Sequence, residues 1–349
     1  MGLNIGIVGA TGMVGEAFMD ILSRHNFPIS SLRPFASAQS EGSKVTALNK
    51  EWTVEILKPG CFNGLDLVFF SSGDDISKEW APEAVKAGAY AVDNSAAFRM
   101  NPDFPLIVPE VNPHLIPIHN TGAKPTIIAN PNCSTIQLVV ALKALKKFGL
   151  EEVRVASYQS VSGAGKVGRT ELIKQSEEAL NSLTTKPNDP LFIGEIQTPP
   201  STFAHEIAFN CIPQIGSFND LGFCSEEVKI MYETKKILEL PDLKVSAFTV
   251  RVPSLNSHSE AVWVTLKQDA TIKDVTSALI SAEGITFHAG NEYPTSRLAA
   301  GQEPVYVGRV HKDPHLKNTW LMWIVADNIL KGAALNGLQI AERIFDIKA

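Results

Sequence analysis

The chain has 349 residues, enough for about two domains, and its 44% hydrophobic and 19% charged residues make a globular rather than a disordered composition. Lys+Arg 31 against Asp+Glu 37 leaves a net charge of −6, which excludes the electrostatic footprint of a nucleic-acid or anionic-membrane binder. The longest apolar stretch, around Ile136 to Leu145, is interrupted by Gln137 and Lys143 and falls short of the roughly 18 residues a membrane span needs.

The N-terminus enters a strand-like run at once, without the regions of a secretion signal, and Gly6 stands where a myristoylation motif requires Ser or Thr. Four cysteines, Cys61, Cys133, Cys211 and Cys224, contain no Cys-x-x-Cys pair, so the expectation is reduced thiols in a cytoplasmic protein. The eight histidines form no ligand-spaced pair with carboxylate partners, and no metal is expected.

Leu3 to Val8 is a short apolar run ending at Gly9. From Met13 to about Ser23, Val14, Ala17, Phe18, Ile21 and Leu22 recur at helical spacing. Further runs at Leu32–Ala36, Leu65–Phe70, Tyr90–Val92 and Ile127–Ala129, with a helical pattern over Asp75–Ala87, predict a parallel sheet covered on both faces.

After Asn130-Pro131-Asn132 the pattern changes. A helix is predicted from Cys133 to about Phe148, a strand at Val153–Val161 and a longer helix from about Lys166 to Leu183. Thr184–Ser201, with four prolines, reads as a loop. Then come a charged helix (Glu226–Leu238), strands near Val245–Val250 and Ala261–Leu266, a helix near Ile272–Ala282, and strands at Val305–Val310 and Trp320–Val325. This succession predicts a mixed α+β second domain. The last helix, Asn328 to about Ile344, places Leu330, Ala333, Ala334, Gly337, Leu338 and Ala341 on one side and is expected to return to the first domain. The expected division is therefore 1–130 plus 328–349 for nucleotide binding, and 131–327 for catalysis.

Gly9-Ala10-Thr11-Gly12-Met13-Val14-Gly15 joins the first strand to the first helix, where the N–H groups of a helix N-terminus hold a dinucleotide's pyrophosphate. Its Gly-x-x-Gly-x-x-Gly spacing differs by one residue from the usual fingerprint, and a plain strand–helix turn is the alternative. At the end of the second strand, Ala36-Ser37-Ala38-Gln39-Ser40 carries no acid to bond both ribose hydroxyls. The preferred cofactor is therefore NADP, with NAD the second that the sequence admits, since Glu41 follows closely.

Cys133 opens a helix behind Asn132, where the dipole favours thiolate and lowers the pKa; a buried structural cysteine is the alternative. Asn132-Cys133-Ser134 also fits a glycosylation acceptor, an accidental match without a secretion signal. Cys61, Cys211 and Cys224 lack such a setting and read as structural. A thiolate beside a nicotinamide points to aldehyde oxidation through a thiohemiacetal and a thioester.

Taken together, the motifs resemble those of bacterial-type aspartate-semialdehyde dehydrogenases across essentially the whole chain. They are Gly9–Gly15, Asp93-Asn94-Ser95-Ala96-Ala97-Phe98-Arg99, Val108-Pro109-Glu110-Val111-Asn112, Asn130-Pro131-Asn132-Cys133-Ser134-Thr135 and Tyr158–Gly165. Asn210–Ile215, Glu226-Glu227-Val228-Lys229, Arg251-Val252-Pro253 and His258-Ser259-Glu260 complete the set. The resemblance implies an α/β chain: a Rossmann-like domain and an α+β catalytic and dimerisation domain of the glyceraldehyde-3-phosphate-dehydrogenase-like type. It implies NADPH-dependent conversion of L-aspartyl phosphate to L-aspartate 4-semialdehyde, serving lysine, threonine, methionine and diaminopimelate synthesis, by a homodimer.

By the same resemblance Cys133 is the nucleophile and His258 the acid/base. Gln159 and Asn132 orient the substrate, Arg251 holds its α-carboxylate, Glu226 (or the adjacent Glu227) its amine, and Arg99 with Lys229 the phosphate. Gly9, Thr11, Gly12, Met13, Val14, Gln39, Ser40, Ser72, Ser162, Gly163 and Asn328 line the cofactor. Gln39 departs from the basic residue many relatives carry there.

Plainer readings exist. Glu226, Lys229, Glu233 and Lys236 recur at the steps of a solvated, ion-paired helix face. Arg251 and His258, astride Pro253, read alone as surface residues, and Arg99 suits a structural ion pair as well as an anion site. Rival functions are an N-acetyl-glutamyl-phosphate reductase, whose cysteine usually has Gly before it and Tyr after it, a CoA-thioester (malonyl-CoA type) reductase, and a non-catalytic NADP-binding paralogue.

Overall fold

A computed structural model describes residues 2–347; Met1, Lys348 and Ala349, the outer ends of the two expected nucleotide-domain spans, lie outside the described residues. The chain runs β1 (Leu3–Val8), α1 (Met13–Arg24), β2 (Ile29–Phe35), β3 (Lys44–Ala47), β4 (Lys50–Thr53), β5 (Leu67–Phe70), α2 (Asp74–Lys86), β6 (Tyr90–Asp93) and β7 (Ile127–Ala129). It continues with α3 (Cys133–Leu145), β8 (Leu150–Gln159), α4 (Gly165–Leu183), α5 (Ser225–Leu238), β9 (Lys244–Arg251), β10 (His258–Leu266) and α6 (Ile272–Ile280). Last come β11 (Ile285–Phe287), α7 (Ser296–Ala299), β12 (Val305–Lys312), β13 (Thr319–Ala326) and α8 (Leu335–Ile344). Among the described residues no helix is long and apolar enough to cross a membrane.

The first sheet is wholly parallel, in the order β2-β1-β5-β6-β7. The chain leaves β1 for β2 on one side and returns to β5 on the other, so a crevice opens beyond the C-terminal ends of β1 and β5. The turn after Val8 and Ser71 after Phe70 flank that crevice, and Ser71 donates both its N–H (2.9 Å) and its Oγ–H (3.1 Å) to the Val8 carbonyl. The polar β3–β4 hairpin, packed beside β2, has no apolar run and was not expected from the sequence.

The second sheet is mixed, in the order β11-β12-β13-β10-β8-β9. Here β8 begins at Leu150 and ends at Gln159, so the expected Val153–Val161 strand shifts towards the N-terminus and Val161 falls in a 3₁₀ turn. Helix α3 is buried along nearly its whole length, and its Ile136, Leu138, Val139 and Leu142 share one core with strands of both sheets. A helix apolar all round belongs in the interior. The first residue of this helix is Cys133, which therefore sits where the two sheets meet.

Beyond β13 the chain does return to the first sheet: Leu330, Ala334, Leu335, Leu338, Ala341 and Ile344 pack with Ile5, Ile7, Phe18, Leu22 and Tyr90. The uniform helix expected from Asn328 is corrected, because Leu330–Ala334 is a π-helix leading into α8. Its signature bonds run from Gly332 N–H to the Asp327 carbonyl (3.0 Å) and from Ala334 N–H to the Ile329 carbonyl (2.9 Å). Lys331 is buried in this turn and donates to Glu110 Oε1 (2.7 Å), Glu110 Oε2 (2.8 Å) and Gln339 Oε1 (2.6 Å).

Gly337 lets α8 approach the sheet: a Cβ there would fall 2.5 Å from Cζ of Phe69, whose ring lies tilted against that of Phe18. Gly337→Ala should therefore cost about 1–3 kcal/mol as the ring is forced aside. A lowered denaturation midpoint is the expected reading, and an unchanged midpoint would show that the helix shifts freely.

Candidate active site

Asn132 caps α3, its Oδ1 accepting the N–H groups of Ser134 (3.0 Å) and Thr135 (3.2 Å). Its remaining groups are also used: Nδ2 donates to Glu226 Oε1 (2.8 Å) and its own N–H to Glu233 Oε2 (2.7 Å). Cys133 is thereby fixed, partly exposed, at the floor of a cleft between the domains of about 1050 Å³. Gly332, from the π-turn, lies so close that a Cβ on it would sit 2.7 Å from Cys133 Cβ.

The expected lowering of the Cys133 pKa is reversed in the ligand-free fold. Burial above all, and then the nearby Glu226 carboxylate, push the thiol up to about 12. Arg99, Arg251 and the Ser134 N–H pull the other way and are outweighed. The helix dipole acts on a charge that first has to leave water, and desolvation wins.

Arg251 and His258 are buried, not surface residues. Arg251 Nη1 donates to the Ser160 carbonyl (2.6 Å), its guanidinium lies 5.8 Å from the Phe203 ring, and burial lowers its pKa. His258 Nδ1 accepts the Ser160 N–H (3.1 Å), so the neutral ring carries its proton on Nε2. Burial first, then Arg251, lower the His258 pKa to about 3. Among the described residues Nε2 has no partner, and it sits beside Gly163, whose Cβ would be 3.5 Å away. The ring expected as a proton acceptor therefore presents a donor on that side. Gln159, fully buried, donates to Ser157 Oγ (3.2 Å) and reaches the cleft wall.

Arg99 and Lys229 both line the cleft. The turn bearing Arg99 is tied down by buried Asp93, which accepts the hydroxyls of Ser77 (2.6 Å) and Ser95 (2.6 Å). Arg99 pairs with Glu233 (3.1 Å) and donates to the Asn94 carbonyl (2.8 Å), while its buried Nε has no partner among the described residues. Lys229 stands 3.6 Å from Glu226, which faces the cleft. Glu227 instead accepts the N–H groups of Cys224 (2.9 Å) and Thr249 (3.0 Å), so of the two acids it is Glu226 that is available to a ligand.

The solvated-face reading of this helix fails. Glu226 and Glu233 are buried, burial raises the Glu233 pKa, and Lys236 donates to the carbonyls of Arg99 (2.8 Å), Asn101 (2.8 Å) and Phe104 (3.1 Å).

At the other end of the cleft, Gly9 has φ +87°, and a Cβ there would fall 2.9 Å from the Ser71 carbonyl. Gly12 precedes α1 with no side-chain cap, which leaves the first N–H groups of that helix for an anion. This turn fits a dinucleotide's pyrophosphate. Facing it, Asn328 Oδ1 accepts from Ser162 Oγ (3.0 Å), Ser160 Oγ (3.2 Å) and the Ser257 N–H (2.9 Å).

Of the residues expected at the site, Gly12, Met13, Val14, Arg99, Asn132, Cys133, Gln159, Ser162, Gly163, Glu226, Lys229, Arg251 and Asn328 line this one cleft. Gly9, Thr11 and His258 are not among its lining residues, and His258 is fully buried. Gln39, Ser40 and Ser72 are not among its lining residues either, whereas Ser71 is. Asn94, Lys166 and Gly332 also line the cleft and were not anticipated, although Asn94 stands inside a recognised motif.

The reading of the other cysteines needs two corrections. Cys211 is exposed, and Cys224 does sit at a helix N-terminus, buried with Sγ 3.0 Å from Thr249 Oγ1.

Two domain families match the chain: semialdehyde dehydrogenase, NAD binding domain, over residues 4–119, and semialdehyde dehydrogenase, dimerisation domain, over residues 142–331. An aspartate-semialdehyde dehydrogenase of Bacillus subtilis (strain 168) is 43% identical over 349 residues, covering 98% of this chain and 97% of the relative. The crystal structure of aspartate semialdehyde dehydrogenase II from Vibrio cholerae complexed with ASA superposes with a TM-score of 0.90 at 40% identity, covering 99% of this chain and 98% of that one. The Candida albicans aspartate semialdehyde dehydrogenase with NADP gives a TM-score of 0.75 at 26% identity, again covering 99% and 98%.

Proposed function

This chain belongs to the aspartate-semialdehyde dehydrogenase family, and on that premise we propose that it reduces L-aspartyl phosphate to L-aspartate 4-semialdehyde with NADPH through a thioester on Cys133. The observation that carries the reading is the convergence of Cys133, Arg251, Glu226, Arg99 and Lys229 on one cleft beside an uncapped phosphate turn.

The Cys133 thiol attacks the acyl carbon: a C–S bond forms, the bond to the phosphate oxygen breaks, and the thiol proton leaves with the phosphate, which departs as hydrogen phosphate between Arg99 and Lys229. The thiolate returned at the end of the cycle takes its proton from water. Bound dinucleotide supplies the hydride. Its arrival puts negative charge on the acyl oxygen, and the C–S bond then breaks to return aldehyde and thiolate. No proton is consumed in that collapse, so a neutral His258 serves by donating Nε2–H to the charged oxygen. Arg251 offers a planar fork to the substrate α-carboxylate, Glu226 receives the ammonium group, and Gln159 with the second Nδ2 hydrogen of Asn132, the one not given to Glu226, fixes the acyl group.

For the cofactor, NADP is favoured because Ala38-Gln39-Ser40 at the end of β2 sets no carboxylate against a 2′-phosphate. The cofactor domain comprises residues 1–130 with 328–349, and 131–327 is the catalytic and dimerisation domain. Homodimer contact falls on the second sheet, on the face away from α3, where Tyr158 and Phe248 are exposed. The four free thiols suit a reducing cytoplasm.

The test follows reduced nicotinamide absorbance with aspartate semialdehyde, phosphate and either NADP or NAD. Phosphate-dependent reduction, faster with NADP, is expected. Folded protein that is silent with both cofactors, or that responds to CoA in place of phosphate, would contradict the reading.

A further inference from the structure

Lys166, the second residue of α4, reaches across the cleft to the other domain. Its Nζ donates to the Thr11 carbonyl (3.0 Å), inside the phosphate turn, and to Glu16 Oε1 (2.7 Å), in the first turn of α1. Four cations line the cleft among the described residues, and three of them are committed to the catalytic end. Arg99 and Lys229 pair with the two carboxylates that hold Asn132, and Arg251 bonds the Ser160 carbonyl beside His258. Lys166 alone stands at the turn where the pyrophosphate belongs.

Glu16 is anomalous in that place. A carboxylate in the first turn suits the helix dipole, but it opposes a second anion at the same N-terminus. An exposed ion pair of this kind contributes little to stability, so its cation is cheaply given to a stronger partner. A phosphate offers Nζ a charge-assisted bond without moving α4 from its place.

We propose that Lys166 is the cation of the dinucleotide's pyrophosphate subsite and Glu16 its resting counter-ion, so that the bound cofactor takes the ammonium from Glu16 and ties the two domains together through it. The inference rests on the cofactor reading above and adds to it a residue and an exchange of partners.

The test measures NADP affinity directly, by calorimetry or by quenching of protein fluorescence, in the wild type, Lys166→Met and Glu16→Gln. Lys166→Met should weaken NADP binding roughly ten-fold or more and reduce its salt dependence. The KM of aspartate semialdehyde is the control that a general distortion of the cleft would move. Glu16→Gln should tighten NADP binding, because the competing anion is gone. Unchanged affinity in Lys166→Met overturns the proposal while leaving the cofactor reading intact. So does weakened affinity in Glu16→Gln, which would make the pair a strut and not an exchange. A wild type that binds neither NADP nor NAD overturns the cofactor reading and the proposal together.

Discussion

Cys133→Ser should lower turnover by at least roughly 10⁴-fold while leaving the fold and NADP binding in place, because no other side chain in the cleft can form the thioester. The serine is close in size, and α3 keeps the Asn132 cap that positions it. A sharper consequence follows from the thiol itself. With burial and Glu226 holding its pKa near 12, alkylation of Cys133 by iodoacetamide in the ligand-free enzyme should rise steadily with pH and reach no plateau below pH 9. Glu226→Gln removes the second cause of that upward shift, so the pKa falls and alkylation at any fixed pH becomes faster. A plateau near neutrality in the wild type would mean that the helix dipole and the two arginines prevail over desolvation.

His258→Ala should reduce kcat by roughly 10²–10³, the range for losing one hydrogen-bond donor to a developing oxyanion. His258→Gln, which keeps an N–H group, should recover part of the loss. The pH profile separates this role from that of a titrating acid/base. Burial and Arg251 keep the imidazole neutral down to about pH 3, so wild-type kcat/KM should show no histidine inflection between pH 5 and 8. An inflection near 6.5 that vanishes in His258→Gln would restore the acid/base role. The same shift bears on stability. An unfolded imidazole takes a proton near 6.5 and the folded one only near 3, so the unfolded state binds more protons across that window. Stability should therefore fall as pH drops from about 6.5 towards 3, and His258→Gln should flatten that slope.

Much of this was legible in the sequence because it is local. The strand–turn–helix at Gly9–Gly15 and the Asn132 cap before Cys133 depend on neighbouring residues, and their chemistry survives without tertiary context. Burial is not local, and it decided the points that came out differently. Glu226, Glu233 and Lys236 carry the spacing of a wet helix face, yet they close against Asn132, Arg99 and the chain after it. Cys133 sits at the positive end of a helix, but that helix is buried along nearly its whole length, and the thiol pKa goes up. The π-turn over Leu330–Ala334 depends on an ion pair between Lys331 and Glu110 and on close packing against Cys133, contacts between residues far apart in the chain. That Ser71 lines the cleft follows from the pairing of β5 with β1, which fixes which residue leaves the sheet at the crevice.

The covalent intermediate is the most direct test. Enzyme incubated with aspartate semialdehyde and NADP, without phosphate, should stall as the acyl-enzyme. After rapid acid quench and proteolysis, mass spectrometry should find one aspartyl group per chain on the peptide carrying Cys133. Phosphate added before the quench should clear it, and Cys133→Ser should never acquire it. An active enzyme that carries no adduct at Cys133, or carries one on another residue, would contradict the mechanism.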